Sequence, residues 1–410
     1  MSDIHTTTLP CGLRIVHEQT PSAVVHCGYI VGAGTRHEDA PDTGMAHFIE
    51  HMSFKGTARR RACHISNGLE RVGGDLNAYT NKQETVYYAV VLRPDFGRAA
   101  DLLTDIVFHS TYPQREIDRE VEVICDEIES YKDSPADLIF DDFEAMLYSR
   151  HPLGRDILGA PERLRNYTTA DARRFADAHY RPANCVFFVR GDVRFERVVK
   201  TAERLLADMP ACAPAPLPPT RADLPAPCQA EAKRHRDTHQ AHVVIGTRTC
   251  GGTDSRHCAL LLLNNMLGGP GMNSRLNMSL REHAGLVYTV EAALTTYPDT
   301  GWWSVYFGCD PHDVGRCRRI VGRELRRFID APLTAAQLAA AKKQLCGQVG
   351  IAAEGSEHRA LAMAKNYARY GTHYDPAEVC RRIAAITAAD VQALATEVYD
   401  ADRLTTLVYE

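Results

Sequence analysis

Seven prolines, Pro210, Pro214, Pro216, Pro218, Pro219, Pro225 and Pro227, crowd eighteen residues near the middle of the chain. Proline fixes φ and donates no backbone hydrogen bond, so a stretch this dense cannot run as a helix or a central strand. The spacing predicts an extended connector over residues 210–227, with one domain over 1–209 and another over 228–410. A chain of 410 residues exceeds what one core usually spans, and two domains of roughly 200 residues each are expected.

The two halves run in the same order. In the first, Leu13–Val16 and Val24–Val31 read as strands, then a helix, then a strand over Thr85–Leu92. Residues 96–209 are mostly helical, with a short strand at Val186–Arg190. The second half opens with a strand at His242–Thr247, continues through Cys258–Leu267, and returns to strand at Val287–Leu294 and Trp302–Gly308. From Leu333 onward it is Ala-rich and helical. This order, twice over, predicts two related α+β domains, although direct identity between the halves is too weak to establish a duplication.

A net charge of -5 gives no reason to expect nucleic acid or an anionic membrane as partner. No run approaches the roughly 18 apolar residues of a spanning helix. The first 25 residues lack a basic start followed by an apolar stretch, which argues against a secretory leader. Thirteen cysteines, an odd number with no CxxC pair, fit reduced thiols in the cytoplasm better than a disulfide framework.

The chemistry concentrates in GMAHFIEHMSFK, residues 44–55. On a helix, Met45, Phe48, Ile49 and Met52 form a core stripe, with His47 and His51 one turn apart on the opposite side. Two imidazoles at i, i+4 can aim at one point and supply two positions of a tetrahedral zinc. Glu50, beside them, can act as a general base, in the reverse of the HExxH order. A solvated polar face with two ordinary histidines accounts for the same pattern. A third ligand decides between the two, and EVEVICDEIE, residues 120–129, offers one. There Glu120, Val123, Ile124, Glu127 and Ile128 share a helical face, so two carboxylates fall in an apolar stripe where a cation can compensate them. Glu122 and Glu129 point away, Asp126 is a weaker rival near the border, and buried pairing with arginines is the alternative reading.

Together, GMAHFIEHMSFKGT, GGDLNAYTNKQETVYYAVVL, REVEVICDEIES and SLREHAGLVYTVEA give the chain its family resemblance. It resembles the M16 (inverzincin, pitrilysin/insulinase) metallopeptidases, especially the short M16B branch that includes mitochondrial processing peptidase and bacterial homologues. The stretches are spread over nearly the whole chain. In that family the third zinc ligand is a Glu about 76 residues after the second motif His, the position of Glu127. The resemblance implies one zinc per chain held by His47, His51 and Glu127, with Glu120 in support and Glu50 as the base toward a metal-held water. It implies a fold of two structurally similar domains, each a mixed or antiparallel sheet packed with helices, in the LuxS/metallopeptidase-like manner.

By the same resemblance, Gly73–Tyr79 is an edge strand beside the metal, with Asn77 and Ala78 contacting a peptide substrate; a plain turn is the simpler alternative. Arg281 and Tyr288 match the family's Arg/Tyr pair and are suited to bind the carbonyl and its developing oxyanion. Without the resemblance they are a surface charge and a strand aromatic. The implied activity is a zinc endopeptidase acting on short or unfolded polypeptides, as a homodimer with composite active sites. A non-catalytic scaffold, like the core subunits of the respiratory cytochrome complex, and a zinc-bound peptide-binding module are the rival classes. Leu267–Gly271 lacks the lysine and spacing of a phosphate loop, and His235, His239 and His242 fall at a strand entry and lack a nearby carboxylate constellation. Neither is assigned a site.

Overall fold

A computed structural model describes residues 4–39, 42–236 and 238–410. The chain begins with strands β1 (Ile4–Thr8), β2 (Arg14–Gln19) and β3 (Val24–Val31), then helices α1 (Met45–Ser53) and α2 (Ala62–Glu70). The hairpin β4 (Asp75–Thr80) and β5 (Thr85–Leu92) leads into α3 (Phe96–Phe108), α4 (Gln114–Lys132) and α5 (Pro135–Leu147). Next come α6 (Pro161–Leu164), α7 (Thr169–His179), β6 (Cys185–Gly191) and α8 (Phe195–Leu205). The second half contains β7 (Ala230–Arg234), β8 (Ala241–Thr249), α9 (His257–Gly268), β9 (Val287–Thr296) and β10 (Gly301–Cys309). Helices α10 (Val314–Asp330), α11 (Ala335–Glu354), α12 (Ser356–Tyr370), α13 (Pro376–Ala385) and α14 (Ala388–Val398) precede the last strand, β11 (Thr405–Tyr409).

The first sheet has the order β1-β2-β6-β3-β5-β4 and the second β7-β11-β8-β10-β9. Leaving β1 aside, the two orders are one topology. In each, the first strand lies parallel to the last (β2 with β6, β7 with β11), and the other neighbours are antiparallel. Among the described residues, each sheet ends in an edge strand, β4 or β9, paired only on its inner side. The repeat that direct identity was too weak to establish is therefore present in strand order. The fold is two-domain α+β, with mixed sheets packed by helices.

Three strands were not expected. β1, IHTTT, is rich in β-branched residues but was passed over, whereas β7 reads AEAKR, without a β-branched or aromatic residue. By contrast β11, TTLVY, is β-rich, and the helical reading after Leu333 passed over it. Residues 210–227 contain no helix or strand. Cys212 N and Ala215 N donate to Pro10 O and Ala183 O, while Ala222 N donates to Asp299 O.

Contacts divide the chain into two compact units, and neither is continuous in sequence. The first runs to Glu129, resumes at Arg155–Leu217, and adds Glu354–Tyr374. The second takes Ser130–Gly154, Pro218–Ala353 and Asp375–Glu410. The main boundary falls within the proline-rich segment, but 130–154 and 354–374 each lie across it, unlike the contiguous division expected at 210–227. The reason is apolar area. One face of the first sheet carries the main core with α1, α3, α4 and α7, and the other exposes Val16, Ile30, Val86, Val186 and Phe188. Ala360, Met363 and Ala364 of α12 cover that second face. In the second unit, Ile139 and Phe143 of α5 do the same against Val244, Trp302, Tyr306 and Leu407. Buried Glu144 of α5 accepts hydrogen bonds from Tyr297 (2.6 Å) and Trp302 Nε1 (2.9 Å). Each half of the sequence thus lends one helix to the other unit.

Candidate metal centre

Helix α1 starts abruptly because Gly44 takes φ 88°, a left-handed conformation. A side chain there would also meet Leu158 O and Gly159 Cα at 2.8 Å. The buried carboxylate of Glu38 accepts hydrogen bonds from Gly44 N (3.0 Å) and Ala46 N (2.8 Å), satisfying free donors at the positive helix end. Met45, Phe48, Ile49 and Met52 enter the core as expected. The opposite side is not a solvated face, since His47 and Glu50 are themselves buried.

From α1 the rings of His47 and His51 stand 4.6 Å apart, both with Nε2 toward Glu127 of α4. The separations are 4.0 Å from His47 Nε2 and 3.6 Å from His51 Nε2 to the two Glu127 oxygens. These are too long for hydrogen bonds. Ligand atoms around a tetrahedral zinc lie about 3.3 Å from one another, and one atom each from His47, His51 and Glu127 falls within 4.8 Å of the others. Two imidazole nitrogens and a carboxylate are a donor set that zinc accepts. The residues fit the metal.

The electrostatics of the two rings differ. Burial, with help from neighbouring His51, pushes His47 down to about 3, keeping the imidazole neutral and able to ligate. His51 is raised: burial opposes this, but the hydrogen bond and charge of Glu120, with the charges of Glu50 and Glu127, outweigh it. Glu120 Oε1 lies 2.9 Å from His51 Nδ1, and its Oε2 is 2.6 Å from Lys55 Nζ. That contact fixes the ring's tautomer and leaves Nε2 free. Glu120 is lowered, because the bonds from His51 and Lys55 overcome its burial. Glu50 is raised by burial, while a 2.8 Å hydrogen bond from Thr80 Oγ1 works against the shift.

Placement of the acidic pair differs from expectation. The buried stripe of α4 is Ile117, Glu120, Val121, Ile124, Cys125 and Ile128. Glu120 lies in it, but Glu127 borders it with a 45% exposed side chain, and Val123 is 52% exposed. This leaves the cluster open on the Glu127 side. Asp126 is exposed and outside the cluster. On β4, Leu76 and Ala78 pack toward the α1 side, while Asn77 points away and bonds Asp75 Oδ2 at 2.8 Å. What Asn77 and Ala78 offer at this edge is backbone. Thr80 and Lys55 were missed. Lys55 follows His51 at i+4, a spacing that could have found it, whereas nothing in the sequence singled out Thr80.

The family model described as Insulinase (Peptidase family M16) matches residues 14–161, and one described as Peptidase M16 inactive domain matches 166–345. The chain is 31% identical over 398 residues to the uncharacterized zinc protease YmxG of Bacillus subtilis, covering 97% of this chain and 96% of that one. The chain belongs to the M16 peptidase family. An uncharacterized zinc protease of Streptomyces coelicolor is 34% identical, covering 96% of this chain and 87% of that one. The crystal structure of a protease from Helicobacter pylori has the same fold, with a TM-score of 0.90 at 20% identity, covering 100% and 99% of the two chains.

Within the M16 topology, α9 holds the place in the second unit that α1 holds in the first, after the second of the five strands the two sheets share. It reads HCALLLLNNMLG, without a carboxylate. The His47, His51 and Glu127 cluster thus has no counterpart on α9 and falls in the repeat matched by the Insulinase model. In the second unit, Arg281 lies on a π-helical turn, Asn277–Glu282, before β9. Its guanidinium stands 5.5 Å from the ring centroid of Tyr288, which is 80% exposed. These two residues are brought together as a pair. His242 of the discounted histidines bonds Tyr306 through Nδ1 at 2.9 Å. None of the thirteen cysteines forms a disulfide, and no helix among the described residues is long and apolar enough to cross a membrane.

Proposed function

We propose that this M16 family member is a zinc-dependent endopeptidase. The reading assigns His47, His51 and Glu127 as ligands of one zinc, Glu120 as the support of His51, and Glu50 as the general base. The observation that carries it is the convergence of three ligand atoms within 4.8 Å beside a buried carboxylate. Zinc at that point would polarise a carbonyl and acidify a water. Glu50 would accept the proton of the attacking water and return it to the leaving amine. The free edge of β4 at Asn77 and Ala78 would take an extended peptide as an added strand, which favours short or unfolded polypeptides. Arg281 and Tyr288, a cation and a phenol held together, are assigned to the carbonyl oxygen as its charge develops. Thirteen free thiols support a reducing, cytoplasmic setting.

A non-catalytic scaffold or peptide-binding subunit is the second reading, favoured by the inactive-domain description of residues 166–345. Against it, the metal cluster lies outside that segment, and its donor set is complete. Glu50→Gln separates the two. An enzyme keeps fold and zinc but loses cleavage of an unfolded peptide by at least about a hundredfold; a binder shows no wild-type cleavage to lose. The same reading includes a homodimer with composite sites. Mixing Glu50→Gln with Arg281→Ala protein then restores activity above either alone, and no recovery despite proven subunit exchange refutes it.

A further inference from the structure

Thr80 is the last residue of β4, paired with Thr85 across the hairpin. Its γ-oxygen lies 2.8 Å from Glu50 Oε2. An ionised carboxylate only accepts, so the hydroxyl donates. Glu50 is fixed in backbone by α1, but its side chain carries three torsions, and the hydrogen bond selects one setting of them.

The hydroxyl itself is firmly mounted. Thr80 is β-branched and stiff at χ1, and Thr85 Oγ1, 3.2 Å from its Oγ1, gives its own proton to Ala33 O at 2.9 Å, which leaves the Thr80 proton to Glu50. The turn beyond is closed by Asn81, whose Oδ1 accepts from Gln83 N (2.7 Å) and Glu84 N (2.9 Å). Thr35 N and Arg36 N donate to Asn81 O (3.3 Å) and Lys82 O (3.0 Å), tying the turn to the segment after β3. A Cβ at Gly34 would come within 2.1 Å of Asn81 O, so that segment lies directly against the turn.

We propose that Thr80 is a positioning residue for Glu50, setting the direction in which its carboxylate faces the reacting water. The inference rests on the peptidase reading above. It also links two parts of the site: the strand whose free edge is assigned to the substrate carries, on its inner face, the group that orients the base.

The test uses zinc-loaded full-length protein and an unfolded fluorogenic peptide, comparing wild type, Thr80→Val, which is isosteric without the hydroxyl, and Thr80→Ser, which keeps it. A lost hydrogen bond to a charged group predicts a fall in kcat of roughly ten- to a hundredfold for Thr80→Val. KM should stay within about twofold and zinc content unchanged, since the metal ligands are not touched. Thr80→Ser should return kcat to within about threefold of wild type. A Thr80→Val enzyme keeping more than half of kcat, a Thr80→Ser enzyme as slow as the valine, or a loss confined to KM overturns the inference. Thr80→Ala supplies the same comparison where the valine does not fold. Absent wild-type cleavage sinks the peptidase reading together with this inference; normal wild-type cleavage with an unaffected Thr80→Val sinks this inference alone.

Discussion

Glu120→Ala tests whether the support of His51 matters as much as the ligand itself. Glu120 is 5% exposed and takes two charge-assisted contacts, 2.9 Å from His51 Nδ1 and 2.6 Å from Lys55 Nζ. Its removal frees the ring of His51 to turn and leaves its Nδ1 without a partner. Losing such an outer carboxylate typically costs 10- to 100-fold in metal affinity, which is about 1.4–2.8 kcal/mol. The fold should lose less than the roughly 3–5 kcal/mol of a fully buried broken pair, because Lys55 and His51 are 30% and 22% exposed and can rehydrate. Glu120→Gln separates shape from charge: its amide oxygen still accepts from Nδ1, so a loss of about tenfold or less is expected. Competition of each variant against a chelator of known zinc affinity, with circular dichroism as the folding control, gives the numbers. Folded Glu120→Ala protein that binds zinc within about threefold of wild type refutes the role of Glu120 as the support of His51.

Zinc should raise the unfolding midpoint of wild type, by about 2.7 kcal/mol in stability at free zinc a hundredfold above Kd, and should not do so for His47→Ala. Burial holds His17 down to about 4, against the opposing pull of the Val193 backbone and, more weakly, of Glu18 and Glu196, with His5 and Phe195 stacked on it. With the folded value depressed, stability is intact above the unfolded value near 6.5 and falls as pH drops toward 4, by about 2 kcal/mol at pH 5. Urea unfolding near pH 7 and near pH 5 should show a shallower loss for His17→Phe; equal losses refute it. A fragment ending at Leu217 lacks α12 and exposes the sheet face of Val16, Ile30, Val86, Val186 and Phe188. It should bind a hydrophobic dye and unfold without cooperativity, and fusing Glu354–Tyr374 back should reverse both. A cooperative, dye-free fragment is the contrary result.

The site was legible where chemistry forces a spacing. Two imidazoles must sit one turn apart to share a metal, and His47 and His51 do so in four letters of separation. Glu120 was legible because an acid in an apolar stripe demands a partner, and two are present. Glu127 came from the family spacing; the helical wheel placed it in a buried face, whereas it borders that face. The wheel ignores what packs alongside, and here the exposed edge is where the cluster opens. Thr80 left no trace, since a threonine at a strand end is ordinary, and only the hairpin register brings its hydroxyl to Glu50.

The exchange of helices was illegible for a related reason. An amphipathic pattern says that a face is buried and never names the surface that buries it. Helices α5 and α12 show ordinary buried faces, Ile139 and Phe143 in one, Ala360, Met363 and Ala364 in the other. The partner of each is set by an uncovered sheet face elsewhere in the chain. For α12 the consequence reaches the metal centre. Arg359 bonds Glu18 on β2 at 3.0 Å, Glu357 accepts from Tyr88 on β5 at 3.0 Å, and Arg369 bonds Glu84 in the β4–β5 turn at 2.8 Å. That turn holds Thr80, and β4 lies against α1. A sequence boundary at the prolines would assign the centre wholly to the first half. The hydrogen bonds make residues 354–374 part of its mount, so substitutions there should alter the site without touching a ligand.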